Sequence, residues 1–138
     1  MSKGKHRILI VEDDKLLSFV EERLIKKLGY NLAGKAVSGE EAIRFAKEED
    51  PDLIVMDINL NDSMDGIEAM NRIRQFSSVP VIFLSGDNKQ ETHDRINQMS
   101  NCVDYLVKPV NAEGLRKPLN KAFETDVAGE DTLSAQSA

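Results

Sequence analysis

Cysteine is nearly absent from this sequence: among 138 residues, Cys102 is the single one. An internal disulfide is therefore excluded, and a reducing compartment is the simpler setting for the protein. Two interpretations of Cys102 stay open at this point. A lone cysteine is in most cases a small core hydrophobe, and less often a reactive or ligand group.

Long hydrophobic runs are also missing. The longest apolar stretches, residues 53–56 and 79–84, fall far short of the roughly 20 residues that cross a bilayer. Residues 1–7 are basic, but the apolar stretch after them stops at Glu12, which is too short for the core of a signal peptide. We therefore expect a cytoplasmic protein without a membrane partner.

Positive charge is scarce as well. Lys and Arg together number 18 against 24 Asp and Glu, which gives a net charge of −6. Domains that bind nucleic acid normally carry a basic patch, so this balance argues against direct nucleic-acid binding. Hydrophobic residues at 41% and charged residues at 30% are ordinary for a globular domain. The length suits one domain.

Short apolar runs indicate buried strands. Four runs are continuous rather than alternating, as expected of parallel strands covered by helices on both faces. They lie at residues 8–11, 53–56, 81–84 and 105–107. A fifth and weaker run at residues 31–37 has a mixed character that suits a sheet edge.

The segments between these runs have helical spacing. The first helix ends at Gly29, a natural C-cap residue, and carries an apolar stripe formed by Leu17, Val20, Leu24 and Leu28. In the second, Ser38 followed by Glu41 predicts a capping box, and Pro51 prevents the helix from continuing. A third helix is marked by apolar residues at Ile67, Met70 and Ile73.

The last two helices are less regular. The fourth, at residues 90–99, offers only Ile96 and Met99 as apolar anchors and is predicted to be loosely held. The fifth should begin near Asn111, but Gly114 and Pro118 fall inside it. An interior proline removes a backbone hydrogen bond, so this helix is predicted to be kinked or to start late at Pro118.

The alternation of strand and helix occurs five times and predicts an α/β fold. Right-handed crossovers turn such a pattern into a five-stranded parallel sheet, doubly wound with helices on both faces. From residue 125 onward the sequence has neither periodicity nor positive charge. We therefore predict an N-terminal extension at residues 1–6, a domain at residues 7–124, and a flexible tail or linker stub at residues 125–138.

Reactive side chains follow the predicted strands. In an open parallel sheet such groups gather at the C-terminal strand ends. Here the strand ends carry Glu12, Asp13, Asp14, Asp57, Ser85 and Lys108. Crowded carboxylates repel one another unless a cation is present, and an oxygen site with room for water suits Mg²⁺.

This set contains the parts of a phosphoryl-transfer site. With the ion and Lys108 neutralising charge, one carboxylate can attack phosphorus while Ser85 donates a hydrogen bond to a phosphoryl oxygen. Taken singly, each acid is better explained as a helix cap or a solvated turn residue, and the serine as a turn residue or cap. Their co-occurrence at matching strand ends favours the functional interpretation.

The sequence resembles the receiver domains of two-component response regulators. Five motifs in the family's order and spacing carry the resemblance over residues 7–123: ILIVEDD, DLIVMDINL, MDGIEAM, PVIFLSG and DYLVKPV. The resemblance implies the flavodoxin-like strand order 2-1-3-4-5 and makes residues 7–124 a receiver domain. One departure is the loop NLNDSMDG, which is one residue longer than usual and has Asn61 where proline is common.

The resemblance also implies roles at the phosphorylation site. Asp57 corresponds to the phospho-acceptor, Ser85 to the hydroxyl position and Lys108 to the phosphate-contacting lysine. Tyr105 corresponds to the aromatic that rotates inward when the hydroxyl residue moves, so Ser85 and Tyr105 form the expected switch. A buried core tyrosine is the alternative interpretation of Tyr105.

A set of metal ligands is implied in the same way. Asp13, Asp57 and the main-chain carbonyl of Asn59 would hold Mg²⁺, and Glu12 would act through water. Asp14 is then expected to cap the first helix. The polar residues Asn59 and Asp87 lie two positions after the implied acceptor and hydroxyl, where side chains can hold or exclude an attacking water. We hypothesise that they favour rapid loss of the phosphoryl group.

The expected function is that of a phosphorylation-dependent switch rather than an enzyme. A histidine kinase or histidine phosphotransfer protein would donate the phosphoryl group and change the surface of helix four, strand five and helix five. His6 and His93 are expected to be solvated surface residues, so the chain is not expected to be a phosphotransfer protein itself. It would act as a monomer or a phosphorylation-dependent dimer on a protein partner that the sequence does not identify.

Two other functions compete with this interpretation. A phosphatase of the haloacid dehalogenase type also uses an aspartate nucleophile, Mg²⁺ and a lysine, but it requires a second aspartate where this chain has Asn59. The chain also has no spare length for a substrate-covering cap. A phosphorylation-independent scaffold with the receiver fold is the other alternative, and the complete set of site residues argues against it.

Overall fold

Five parallel strands form one sheet in the part of the chain that the computed structural model describes, residues 6–61 and 63–137. The strands are β1 (Arg7–Val11), β2 (Asn31–Ala36), β3 (Leu53–Asp57), β4 (Val81–Ser85) and β5 (Cys102–Val107). They lie in the order β2-β1-β3-β4-β5, with all neighbours parallel. The predicted fold class and strand order are confirmed.

A helix follows each strand and covers one face of the sheet. The helices are α1 (Lys15–Lys27), α2 (Gly39–Glu49), α3 (Gly66–Ile73), α4 (Gln90–Asn97) and α5 (Ala112–Ser137). Alternate residues of β1 divide the core: Ile8 and Ile10 pack with α1 and α5, whereas Leu9 and Val11 pack with α2, α3 and α4. Because the central strands are buried on both faces, their sequences are continuous apolar runs.

Polar caps fix where three of the helices begin. Asp14 accepts hydrogen bonds from the amides of Leu16 and Leu17 and caps α1, as expected. Ser38 caps α2 by accepting from Glu41, although the Glu41 carboxylate bonds the amide of Val37 rather than that of the cap residue itself. Asp65 caps α3. The first turn of α1 therefore starts directly beside the acidic residues that follow β1.

The buried face of α1 differs from the predicted apolar stripe. Its fully buried residues are Ser18, Glu21 and Ile25, while Val20 is 39% exposed. The expectation that Val20 belongs to the core face is therefore wrong. Since the true face contains a serine and a glutamate, counting only apolar residues rotates the inferred stripe around the helix.

Helix α5 begins at Ala112 and contains Pro118, so a late start at Pro118 is wrong. The residue four positions before Pro118 is Gly114, whose backbone can adjust where the proline ring would crowd the preceding turn. Buried Leu115 and Leu119 flank the proline and pack α5 on the sheet. This packing offsets the lost backbone hydrogen bond.

The ends of the chain bear on the predicted domain boundaries. Helix α5 continues to Ser137, so its backbone is helical past residue 124, where the sequence pattern predicts an irregular tail. The side chains of residues 125–137, and all of residues 1–5, lie outside the described residues, and the boundaries stay predictions. Within residues 6–61 and 63–137, no helix combines the length and apolar character needed to cross a membrane.

Candidate functional site

The predicted site residues converge at one edge of the sheet. Glu12 and Asp13 follow β1, Asp57 and Ser85 end β3 and β4, and Lys108 follows β5. Backbone hydrogen bonds continue the sheet pairing to this edge: the amide of Ile58 donates to the carbonyl of Leu84 at 2.8 Å, and that of Lys108 to the carbonyl of Ser85 at 2.7 Å. Parallel strands thus bring distant sequence positions together.

Two buried carboxyl groups meet one lysine at the centre of the site. Asp57 and Glu12 are each 1% exposed. The ammonium of Lys108 lies 3.2 Å from Asp57 Oδ1 and 3.5 Å from Glu12 Oε1. Since one ammonium faces two buried carboxyls, the site is short of positive charge.

Burial and mutual repulsion shift the ionisation of these groups. Burial, followed by the contact with Glu12, raises the pKa of Asp57 to about 7. Burial alone would lower the pKa of Lys108, but the attraction of Asp57 and Glu12 outweighs it and raises that pKa. A lysine held this way stays positively charged beside the acceptor.

The acidic residues fit a divalent cation. Carboxylate oxygens of Glu12, Asp13 and Asp57 lie within 4.8 Å of one another. Asp57 Oδ2 is buried and has no hydrogen-bond partner among the described residues, which leaves an orphaned acceptor in the acidic cluster. Such an all-oxygen donor set is what Mg²⁺ prefers. Asp13 lies at the rim, where its Oδ2 accepts from the amide of Asn61 at 3.0 Å.

Asn59 joins the loop after β3 to the loop after β4. Its Oδ1 accepts a hydrogen bond from the hydroxyl of Ser85 at 3.3 Å and from the amide of Gly86 at 3.1 Å. The main-chain amide of Asn59 donates to Asp57 Oδ1 at 3.1 Å. The predicted role of the Asn59 carbonyl as a metal ligand stays a prediction, whereas its side chain is engaged with Ser85.

A chain of hydrogen bonds runs from Ser85 to Tyr105. The Ser85 hydroxyl oxygen accepts from the amide of Asp87 at 3.1 Å, and the Tyr105 hydroxyl donates to the carbonyl of Asp87. The Tyr105 ring packs edge-on against His93, with 4.5 Å between centroids. Both predicted switch residues are therefore linked through the loop that follows β4.

Three residues outside the acidic site bear on interpretations made from the sequence. Two are histidines, and the third is Cys102. His93 is half-buried against Tyr105, and His6 stacks on Phe123 with 3.9 Å between ring centroids. The expectation that both histidines are solvated surface residues is therefore wrong. Cys102 packs partly buried against the core, and burial raises the pKa of its thiol to about 11, which favours the packing interpretation.

Glu21 is a site residue that the motifs do not single out. It lies on the buried face of α1 and is 2% exposed. Burial, and then the charge of Glu12, raises the pKa of Glu21 to about 9. Its position four residues after Leu17 and three before Leu24 is the signal in the sequence, because that spacing puts it on the same side of the helix.

Comparison with known proteins agrees with this geometry. Residues 8–120 match the family described as the response regulator receiver domain. The chain belongs to this family. The matched residues include every residue of the acidic site and the whole sheet apart from Arg7, the first residue of β1.

Curated relatives include two proteins of Bacillus subtilis. The probable C4-dicarboxylate response regulator DctR is 32% identical over an alignment of 140 positions, which covers 99% of this chain and 61% of that relative. The chemotaxis protein CheY is 31% identical over 118 residues, which cover 86% of this chain and 98% of that relative. This chain therefore spans about three-fifths of the length of the first relative and nearly all of the second.

Solved structures show the same fold. The signal receiver domain of a modulated diguanylate cyclase from Desulfovibrio desulfuricans G20 superposes with a TM-score of 0.79 at 33% identity, covering 90% of this chain and 98% of that one. The receiver domain of the response regulator PhyR from Erythrobacter litoralis gives a TM-score of 0.75 at 30% identity, covering 87% and 91%.

Proposed function

We propose that this receiver domain is a phosphorylation-dependent switch in which Asp57 accepts a phosphoryl group from a histidine kinase or histidine phosphotransfer protein. The observation that carries the proposal is the Asp57 carboxyl, which is buried beside Lys108 and Glu12 and keeps one oxygen without a hydrogen-bond partner among the described residues. That oxygen is available as a nucleophile.

In the proposed transfer, an Asp57 oxygen forms a bond to phosphorus while the bond from phosphorus to the donor's imidazole nitrogen breaks. The electron pair stays on that nitrogen, and because the other ring nitrogen of the donor carries a proton, the histidine leaves as neutral imidazole. Lys108 offsets the charge that develops on the phosphoryl oxygens, and Ser85 supplies a hydrogen-bond donor to one of them. Asp57 itself gives up no proton in its ionised form.

Mg²⁺ is the proposed cofactor. Asp13, Asp57 and the main-chain carbonyl of Asn59 would hold it, with Glu12 acting through water. When bound, it supplies charge neutralisation for the phosphoryl oxygens. The support within the protein is the cluster of carboxylate oxygens with its orphaned buried acceptor.

The proposed response to phosphorylation starts at Ser85. A phosphoryl group on Asp57 adds negative charge close to the Ser85 hydroxyl, which in this structure donates to Asn59. Drawing that hydroxyl toward the phosphoryl group breaks its bond to Asn59 and disturbs the Asp87 loop. Because Tyr105 is hydrogen-bonded to the same loop, its rotation would change the surface formed by α4, β5 and α5.

A protein donor would approach along the first turns of α1. Leu16 and Phe19 lie one turn apart there and are 70% and 52% exposed, close in sequence to Asp13 and Asp14 at the rim of the site. Exposed apolar side chains next to a reactive centre suit a docking partner. We place the kinase or phosphotransfer protein on this face.

The test is to incubate the protein with acetyl phosphate and Mg²⁺ and to measure its intact mass. We expect a gain of one phosphoryl group that requires Mg²⁺ and disappears in Asp57→Asn. Asp52→Asn is the matched control, since Asp52 lies just before the other end of β3 and bonds the amide of Arg7. Modification that persists in Asp57→Asn would refute the assignment of the acceptor.

A further inference from the structure

Asp13 is the least enclosed member of the acidic cluster. Glu12 and Asp57 are each 1% exposed, so packing restricts their carboxyl groups, whereas Asp13 is only half-buried at the rim of the site. A side chain that lies partly in water keeps its rotational freedom unless a polar contact holds it. The orientation of the Asp13 carboxylate therefore depends on its hydrogen bonds.

The loop after β3 supplies such a hydrogen bond from its main chain. Asp13 Oδ2 accepts from the amide of Asn61 at 3.0 Å, although the two residues are 48 positions apart in the sequence. A hydrogen bond to an ionised carboxylate is stronger than one between neutral groups. Because a carboxylate has two oxygens, a bond at Oδ2 leaves the other oxygen able to bind an ion. The contact is thus suited to holding Asp13 without blocking it.

The neighbours of Asn61 in this loop are anchored in the core. Ile58, Leu60 and Met64 are buried and belong to the apolar cluster that α2 and α3 cover. The carbonyl of Ile58 accepts hydrogen bonds from the amide of Leu60 at 3.1 Å and from the amide of Gly66 at 2.9 Å. Since buried side chains are closely packed, these contacts fix the path of the chain next to Asn61, and with it the direction of the Asn61 amide.

We propose that Asn61 is a positioning residue for the metal site, whose main-chain amide holds the Asp13 carboxylate in the orientation that the divalent ion requires. The inference rests on the proposed function in one respect, namely that an ion binds at the acidic cluster. The loop after β3 then serves the ion twice, through the carbonyl of Asn59 and, by way of Asp13, through the amide of Asn61. Loss of a group that orients a metal-binding carboxylate typically weakens metal binding by about 10-fold to 100-fold.

The experiment compares Asn61→Pro with Asn61→Ala. Proline has no amide hydrogen to donate, whereas alanine keeps that hydrogen and removes only the side chain. Mg²⁺ is titrated into each metal-free protein and followed by amide chemical shifts, and the carboxyl carbon shift of Asp13 is recorded before Mg²⁺ is added. We expect Asn61→Pro to bind Mg²⁺ about 10-fold more weakly and to shift the Asp13 signal, and Asn61→Ala to match the unaltered protein in both measurements.

A second comparison shows whether the effect passes through Asp13, because a proline also restricts the residue before it, here Leu60. In an Asp13→Ala background, Asn61→Pro should cause little further loss of Mg²⁺ affinity, since the carboxylate that the amide positions is gone. The amide proton signal of Asn61 should move in Asp13→Ala for the same reason. A loss on adding Asn61→Pro that is as large in the Asp13→Ala background as in the unaltered protein would overturn the inference.

The outcomes separate this inference from the proposed function. Equal Mg²⁺ affinity in Asn61→Pro and the unaltered protein would overturn the role of the Asn61 amide alone, as would a loss in Asn61→Ala as large as that in Asn61→Pro. An unaltered protein that does not bind Mg²⁺ would overturn both the role of Asn61 and the proposed cofactor.

Discussion

The residues of the acidic site form a system that is short of positive charge. Lys108 contacts both Asp57 and Glu12, and Glu21 adds a third buried carboxyl behind them. Without an ion, two of these carboxyls have raised pKa values, about 7 for Asp57 and about 9 for Glu21, with burial as the largest cause of each shift. The metal-free fold therefore retains protons that an unfolded chain would release.

Stability of the metal-free protein should consequently fall as pH rises. Both pKa values lie above the ordinary values of 3.8 and 4.5, so the stabilising contribution is complete in acid and is lost as pH climbs through about 7 and then about 9. For each retained proton, the free energy of unfolding falls by at most about 1.4 kcal/mol for every unit that the pH rises.

Urea unfolding in the presence of a chelator, between about pH 5 and about pH 9, measures this slope across the window set by the two groups. Because glutamine does not titrate, the Glu21→Gln variant should show a flatter dependence of the free energy of unfolding on pH. The difference should be most visible above the pKa of Asp57. A profile in Glu21→Gln as steep as in the unaltered protein would show that Glu21 is not protonated in the fold.

Asn59 and Asp87 should control how long the phosphoryl group survives. Replacing both with leucine removes polar groups that can hold an attacking water near Asp57. If each such hydrogen bond contributes its usual share, the aspartyl-phosphate lifetime should lengthen roughly fivefold to tenfold. The lifetime is measured from the decay of the phosphorylated fraction after the donor is removed. Asn61→Leu serves as the control, and an unchanged lifetime in the double variant would refute the idea.

Among the elements, α4 is held by few contacts. Ile96 is the buried apolar residue within it, Met99 follows two residues after its end, and its N-cap residue, Lys89, makes no capping hydrogen bond in the described structure. Arg95 ties the helix to α3 through two hydrogen bonds to Asp65, at 2.8 and 3.1 Å. The weak hold predicted from the sequence agrees with this packing, and it suits an element that responds to Tyr105.

A substitution on the exposed face of helix α1 should slow phosphorylation by a protein donor but not by a small-molecule donor. Phe19→Asp places a charge on the proposed docking face, while leaving Asp57, Glu12 and Lys108 untouched. Phosphorylation by the most active kinase of a panel should slow by about tenfold or more, as expected for loss of an apolar anchor at an interface. The rate with acetyl phosphate should not change. Equal slowing with both donors would mean that the substitution disturbs the site rather than docking.

At the scale of the whole molecule, the sheet follows from the sequence because its central strands are continuous apolar runs. In a chain that alternates strands with amphipathic helices, a continuous apolar run fits few structures other than a buried strand of a parallel sheet. Two helices were harder to predict for opposite reasons. In α1, buried polar residues at Ser18 and Glu21 hide the core face, and in α5, packing by Leu115 and Leu119 overrides the local effect of Pro118.

The site was predictable in its residue types but not in its connections. Asp57, Ser85 and Lys108 could be located because strand ends of a parallel sheet must meet. The hydrogen bond between Asn59 and Ser85 depends on loop paths, and the burial of Glu21 depends on helix rotation, neither of which a short motif encodes. The bond between Asn59 and Ser85 carries the expectation about switching.

The most direct test of the account follows Asp57, Ser85 and Tyr105 by NMR while Mg²⁺ and then a beryllofluoride mimic of the phosphoryl group are added. We predict a Mg²⁺-dependent change at Asp57, followed on addition of the mimic by changes at Ser85 and Tyr105. A change at Asp57 that leaves Tyr105 unmoved would keep the chemistry and remove the switch. No Mg²⁺-dependent change at Asp57 would contradict the central claim.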